Sequence, residues 1–95
     1  MIIHFTNQRN KPDFVEVNRP ELIVPYNKQG LHGIHWGIHA KKRANDAHPI
    51  VLGFFVSEEK RDAVIAEIKT AIGNKNEFTV EGALPVDRDF SKMGK

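Results

Sequence analysis

The chain has no cysteine among its 95 residues. That excludes disulfide scaffolds, thiolate nucleophiles and cysteine-ligated zinc or iron-sulfur centres together, leaving histidine and carboxylate as the only ligands for a metal. No apolar run approaches the ~20 residues that cross a bilayer. Met1-Ile2-Ile3-His4 lacks the basic start and apolar centre of a signal peptide, so a cytoplasmic protein with no membrane partner is the expectation. Serine offers little to hydrolysis: Ser57 stands before Glu58-Glu59 as a helix cap and Ser91 lies near the C-terminus, so neither is a nucleophile oriented by histidine. Nor is there a glycine-rich phosphate cradle, because Gly30, Gly33 and Gly37 do not sit between a strand and a helix start.

What is present is a globular composition, 40% hydrophobic and 27% charged. At this length it describes one domain with a thin core, burying well under ~70% of its unfolded surface. The charge is lopsided. Residues 1–48 carry seven Lys/Arg against four Asp/Glu, and the remainder carries seven against eight. All five histidines (His4, His32, His35, His39, His48) also fall in the first part. That half becomes more positive on mild acidification and favours an acidic partner, although its excess is far below that of a committed nucleic-acid binder.

The pattern predicts an α+β fold: an antiparallel sheet of five or six short strands with one helix packed on one face. Residues 2–6 form a first strand, ended by the polar, proline-containing residues 7–13. Residues 14–18 and 22–26 are short strands near an edge, because Pro20 and Pro25 cannot donate to a ladder. Residues 31–40 fit both a helical stripe and strand alternation; glycines at 30, 33 and 37 and the lack of an N-cap favour the strand. Its apolar face is then Ile34, Trp36 and Ile38, with Gly33, His35, Gly37 and His39 on the exposed face. Residues 49–56 are apolar on both faces and read as a central strand, with Ile50, Leu52, Phe54 and Val56 on one side and Val51, Gly53 and Phe55 on the other. Ser57 caps a helix whose buried stripe is Val64, Ile65, Ile68, Ala71 and Ile72, and Gly73-Asn74 ends it. Residues 77–80 close the domain, which spans residues 1–81; residues 82–95 form an extended tail. One helix covers one face of a sheet, so the other needs strand curling, the tail or a second subunit. A homodimer with the tail as an exchanged arm is one solution.

Candidate functional groups gather on the hairpin of residues 31–56. His32, His35 and His39 would share a face on a helix, but on a strand His35 and His39 stand ~13 Å apart, beyond a common ion. No metal or cofactor is therefore expected. Gly33 and Gly37 flank His35 and leave a flat, partly bare backbone that a partner can approach closely; they equally suit a bulge or twist. Lys41-Lys42-Arg43 concentrates three fixed charges in a mobile tip, suited to phosphate contact or to discouraging edge pairing. The tip contains no aromatic residue to stack a base. A metal-independent ribonuclease would need His4 opposite His35 across paired strands, with Arg43 on the phosphate. Asp87-Arg88-Asp89 reads as solvated charge in the tail.

The run Val51-Leu52-Gly53-Phe54-Phe55-Val56-Ser57-Glu58-Glu59-Lys60-Arg61-Asp62-Ala63-Val64-Ile65-Ala66-Glu67-Ile68, preceded by short strands, resembles small antiparallel-sheet-plus-helix proteins of phages and mobile elements. Anti-CRISPR and other anti-defence inhibitors belong to that group. The resemblance implies a non-catalytic binding module, an inhibitor of a host nucleic-acid-processing complex. His35, His39, Lys41, Lys42 and Arg43 are its candidate partner-binding residues, and an acidic protein surface or a nucleoprotein complex is its partner. Direct DNA or RNA binding by the same tip is the first alternative, and the histidine-dependent ribonuclease the second.

Overall fold

The computed structural model describes residues 1–31 and 33–84. The fold is α+β, with six strands and one helix in the order β1 (Ile2–Thr6), β2 (Pro12–Glu16), β3 (Ile23–Gly30), β4 (Gly33–Ala40), β5 (Ile50–Phe55), α1 (Glu58–Ala71) and β6 (Glu77–Thr79). The strands are divided between two three-stranded sheets, β2-β1-β6 and β3-β4-β5, where a single sheet was expected. The division falls at Arg19-Pro20. A 3-10 turn over Pro20–Leu22 redirects the chain after β2, and Pro20 has no N–H with which to continue a ladder.

In the first sheet β1 is central. It pairs antiparallel with β2 and parallel with β6, in the registers Ile3↔Val15 and Ile3↔Phe78. The parallel pairing arises because α1 carries the chain from the second sheet back to the free side of β1. The turn before β2 is built on Asn7, whose Oδ1 accepts from the N–H groups of Arg9 and Lys11. Its Nδ2 donates to Asp13. The outer edge of β2 offers few donors. Val17 N–H bonds to Met1 and Asn7 N–H to Lys11, which fixes the odd residues of β2 as those facing β1. Of the outward-facing residues, Pro12 has no N–H, and the N–H of Phe14 is taken by the Asp13 carboxylate at 2.8 Å.

The second sheet is an antiparallel meander with β4 in the middle, so β5 is its outer strand and not a central one. Its burial on both faces has two sources. A register shift between Ile38 and His39 pairs Ile38 with Gly53 and His39 with Val51, leaving Leu52 as the extra residue of a bulge. The bulge breaks the simple alternation, so Leu52 and Phe55 both enter the core shared with α1 while Phe54 lies on the opposite face. The chain after β6 then returns along β5. Leu84 N–H donates to Phe54 O at 2.7 Å, and Gly53, at φ +154°, lies so close to Ala83 that a Cβ there would be 2.9 Å from its methyl. Of the expected tail only residues 82–84 are described. Phe90, Ser91, Asp87-Arg88-Asp89 and the exchanged arm lie outside the described residues, as does His32.

The helix follows the sequence closely. Ser57 accepts from Lys60 N–H at 3.2 Å, Glu58 and Glu59 occupy the positive end of the dipole, and Gly73 follows the last turn at φ +90°. Val64, Ile65 and Ile68 pack with Ile3, Val17, Ile23, Ile38, Leu52 and Phe55 in one core contributed by both sheets.

Arg61 shares that face and is only 4% exposed. Its guanidinium lies 5.5 Å from the Trp36 ring centroid. It donates to Asn27 Oδ1 at 2.6 Å and to Asp62 at 2.8 Å, and pairs with Glu58 at 3.5 Å. These contacts fasten the start of α1 to β3 and β4, and the planar fork of arginine suits such a divided set of acceptors.

Candidate functional site

The structure separates the groups that the sequence gathered. Trp36 and Ile38 face the helix as the alternation requires, whereas Ile34, near the hairpin end, is 45% exposed. The opposite face is not bare. Gly37 lies opposite Tyr26 on one side and Phe54 on the other, and both rings close over it. A Cβ at Gly37 would be 2.9 Å from Phe54 Cε1 and 3.1 Å from Tyr26 Cδ2. The glycine thus admits aromatic side chains from both neighbouring strands where an approaching partner was expected.

His35 is consequently 9% exposed and meets Phe54 edge-on, with ring centroids 5.9 Å apart. It does not stand on an exposed face. His39 is half-buried against Tyr26. Burial, and secondarily the charge of Lys41, pushes its pKa below the usual imidazole value.

His4 belongs to the other sheet, in register with Phe14 and Thr79, and contacts Glu77 at 3.2 Å. The pairing of His4 with His35 across neighbouring strands therefore does not occur. Among the described residues no group of three or more histidine and acidic side chains is placed to hold a metal ion.

The basic loop, residues 41–49, joins β4 to β5 and is tied at its centre. One Asp46 oxygen accepts from Lys42 N–H at 3.0 Å and the other from His48 N–H at 2.9 Å, while Asp46 N–H donates to Arg43 O. Those two N–H bonds, with the charges of Arg43 and Lys42, hold the Asp46 carboxyl below the ordinary aspartate range. Lys41 is half-buried, its N–H bonded to Leu22 O, and Lys42 and Arg43 are exposed. The expected mobile tip is thus an organised loop presenting two exposed cationic side chains.

Lys42 also forms part of a groove of about 790 Å³ that the sequence did not reveal. One wall is the Asn7 turn with β2, bringing Arg9, Asp13, Phe14 and Glu16. The other is the basic loop with the start of β5, bringing Lys42 and Ile50. Phe14 is 65% exposed. The only sequence signal for it was a phenylalanine alternating with core-facing Val15 and Val17, so that it had to point away from the core.

The chain matches no family model, no curated protein and no solved structure at a significant level. What the fold and site define is a class: a small two-sheet α+β domain with a cationic loop beside an aromatic-bearing groove. No helix among the described residues is long and apolar enough to cross a membrane.

Proposed function

We propose that the protein is a non-catalytic macromolecular binding module that engages an anionic surface, on a protein or a nucleoprotein complex, through Lys41, Lys42 and Arg43. The observation that carries this reading is the Asp46-centred loop. It holds Lys42 and Arg43 exposed at a fixed place, with Lys42 forming part of a groove that also contains Arg9. Charges presented on an organised loop lose less side-chain and backbone freedom on contact than charges on a disordered one. The resemblance to small phage and mobile-element proteins extends the reading to an inhibitor of a host nucleic-acid-processing defence complex. His35 has no part in the contact, being buried, and His39 serves by supporting the strand that leads into the loop.

A second reading, direct DNA or RNA binding, draws on Phe14, an exposed ring in the same groove as two cations. Fluorescence anisotropy with generic DNA and RNA across a salt series separates the two. The module reading expects weak binding or none, together with capture of a protein from nuclease-treated host lysate that is lost in the double variant Lys42→Ala with Arg43→Ala. Tight, salt-steep binding to nucleic acid, lost in the same variant, replaces it with the second reading. Degradation of the probe overturns the non-catalytic assignment.

A further inference from the structure

We infer that residues 85–95 fold back in cis over the face of the second sheet turned away from α1, and cover its aromatic cluster with the apolar side chains of Val86, Phe90 and Met93. This face lies apart from the basic loop, so the inference does not rest on the binding-module reading.

The face is more deeply buried than its place in the fold explains. Tyr26, His35, His39 and Phe54 share it, since their rings pack on one another. The core enclosed by α1 and the first sheet lies on the other side, where it takes in Ile38, Leu52 and Phe55 but not Phe54. Phe54 is nevertheless 3% exposed and His35 9%. The Phe54 ring rests one side on Gly37, and neighbouring rings shield its flanks, so burial of its outward side requires a further layer.

Strand β3 repeats the pattern. Pro25, Asn27 and Gln29 lie on the side that reaches Arg61 of α1 and are exposed, whereas Val24, Tyr26 and Lys28, on the side away from it, are half-buried. A sheet covered only by the helix would show the reverse alternation. Both faces of this sheet are therefore covered.

The course of the chain selects the cover. Leu84 N–H donates to Phe54 O at 2.7 Å and the Ala83 methyl lies against Gly53, so residue 85 follows directly from the outer edge of β5, at the rim of the aromatic face. From β5 across to β3 is two strand spacings, ~10 Å, and residues 85–95 reach up to ~35 Å when extended. Val86, Phe90 and Met93 supply large apolar side chains in that stretch. Attachment at Leu84 also gives them an effective concentration on the order of millimolar at the face, which a second copy or a foreign chain would have to exceed.

The test is paramagnetic broadening in the full-length protein. The chain has no cysteine, so a single Ser91→Cys change takes a nitroxide beside Phe90. Amide signals of Tyr26, Lys28 and His35 should then broaden strongly, and those of Ala66 and Thr70, exposed on α1, only weakly. Adding Phe90→Ser should abolish the contrast while Ile38 and Phe55 keep their hydrogen-exchange protection. A second label at Lys92→Cys repeats the measurement from a site less able to disturb the seat. Absence of the contrast with both labels, or a contrast indifferent to Phe90→Ser, would overturn the inference. Broadening of the same signals in a nitroxide-free, isotope-labelled copy mixed with the spin-labelled protein would also overturn it and assign the cover to a second molecule as an exchanged arm.

Discussion

Tyr26 and His39 stack face to face across the seam between β3 and β4, with ring centroids 3.9 Å apart and planes inclined by 16°. They are diagonal neighbours, since Tyr26 is in register with Gly37 and His39 with Val24. Diagonal pairs on a sheet normally have an intervening side chain opposite each member. Here the position opposite Tyr26 is Gly37, and the ring of Tyr26 can lean toward His39 because nothing projects from it.

Gly37→Ala should therefore be costly although its backbone needs no special conformation. The added methyl meets Phe54 and Tyr26 at 2.9 and 3.1 Å, and overpacking of this kind costs about 1–3 kcal/mol. Denaturant unfolding gives the loss. Ring protons of His39 should move toward unstacked shifts in the same variant, and an unchanged His39 spectrum would refute the link.

Acid should weaken the fold through His39. Burial and the neighbouring Lys41 lower its folded pKa below the value it regains on unfolding. The unfolded chain therefore binds the proton more readily, and stability present above about pH 6.5 is lost as pH falls toward the depressed folded value. The urea midpoint of the wild type should drop between about pH 7.5 and about pH 5.5 by more than that of His39→Phe, which keeps a ring on Tyr26 but cannot take a proton. Equal drops would clear His39 of the effect.

Removing Asp46 should disturb the loop and leave the core alone. In Asp46→Ala the N–H groups of Lys42 and His48 lose their shared acceptor, so their hydrogen exchange should accelerate while the protection of Ile38 and Phe55 persists. In the wild type the Asp46 bonds are present above the ordinary aspartate pKa and lost only as pH falls through its lowered folded value. A global loss of protection in Asp46→Ala would show that the loop belongs to the core's cooperative unit.

Arg61→Met should destabilise the protein by about 1–2 kcal/mol, because the hydrogen bond to Asn27 is lost while the stem's apolar packing is largely kept. Glu58→Gln should change stability by less than about 0.5 kcal/mol, since Glu58 is exposed and its pair is screened by water. Thermal or urea unfolding of both variants checks the ranking.

Local signals in the sequence carried the local structure well. The Ser57 cap, the stripe through Val64, Ile65 and Ile68, and the strand reading of residues 33–40 all appear in the fold. Arg61 was also legible in principle, standing three residues before Val64 and seven before Ile68 on the buried stripe, where a cation must find internal acceptors. Long-range pairing was not legible. Nothing near Ile2 announces that Glu77 will lie beside it, so the partition into two sheets stayed hidden. The burial of His35 depends on Phe54 and Tyr26 being brought across Gly37, which is known only once both registers are known. The groove is a further step removed, since its walls come from residues about thirty or more positions apart along the chain.

The prolines of the outer strands bear on how this molecule behaves in a crowd. Pro12 in β2 and Pro25 in β3 lie where each sheet would otherwise accept another strand. With the amide of Phe14 also occupied, neither edge presents an uninterrupted template for cross-β stacking. A small protein with an exposed phenylalanine and a modest core would ordinarily risk ribbon-like aggregation at high concentration. Along these two edges the backbone is poorly suited to such contacts, which leaves adhesion there to side chains that salt and competing solutes can reverse.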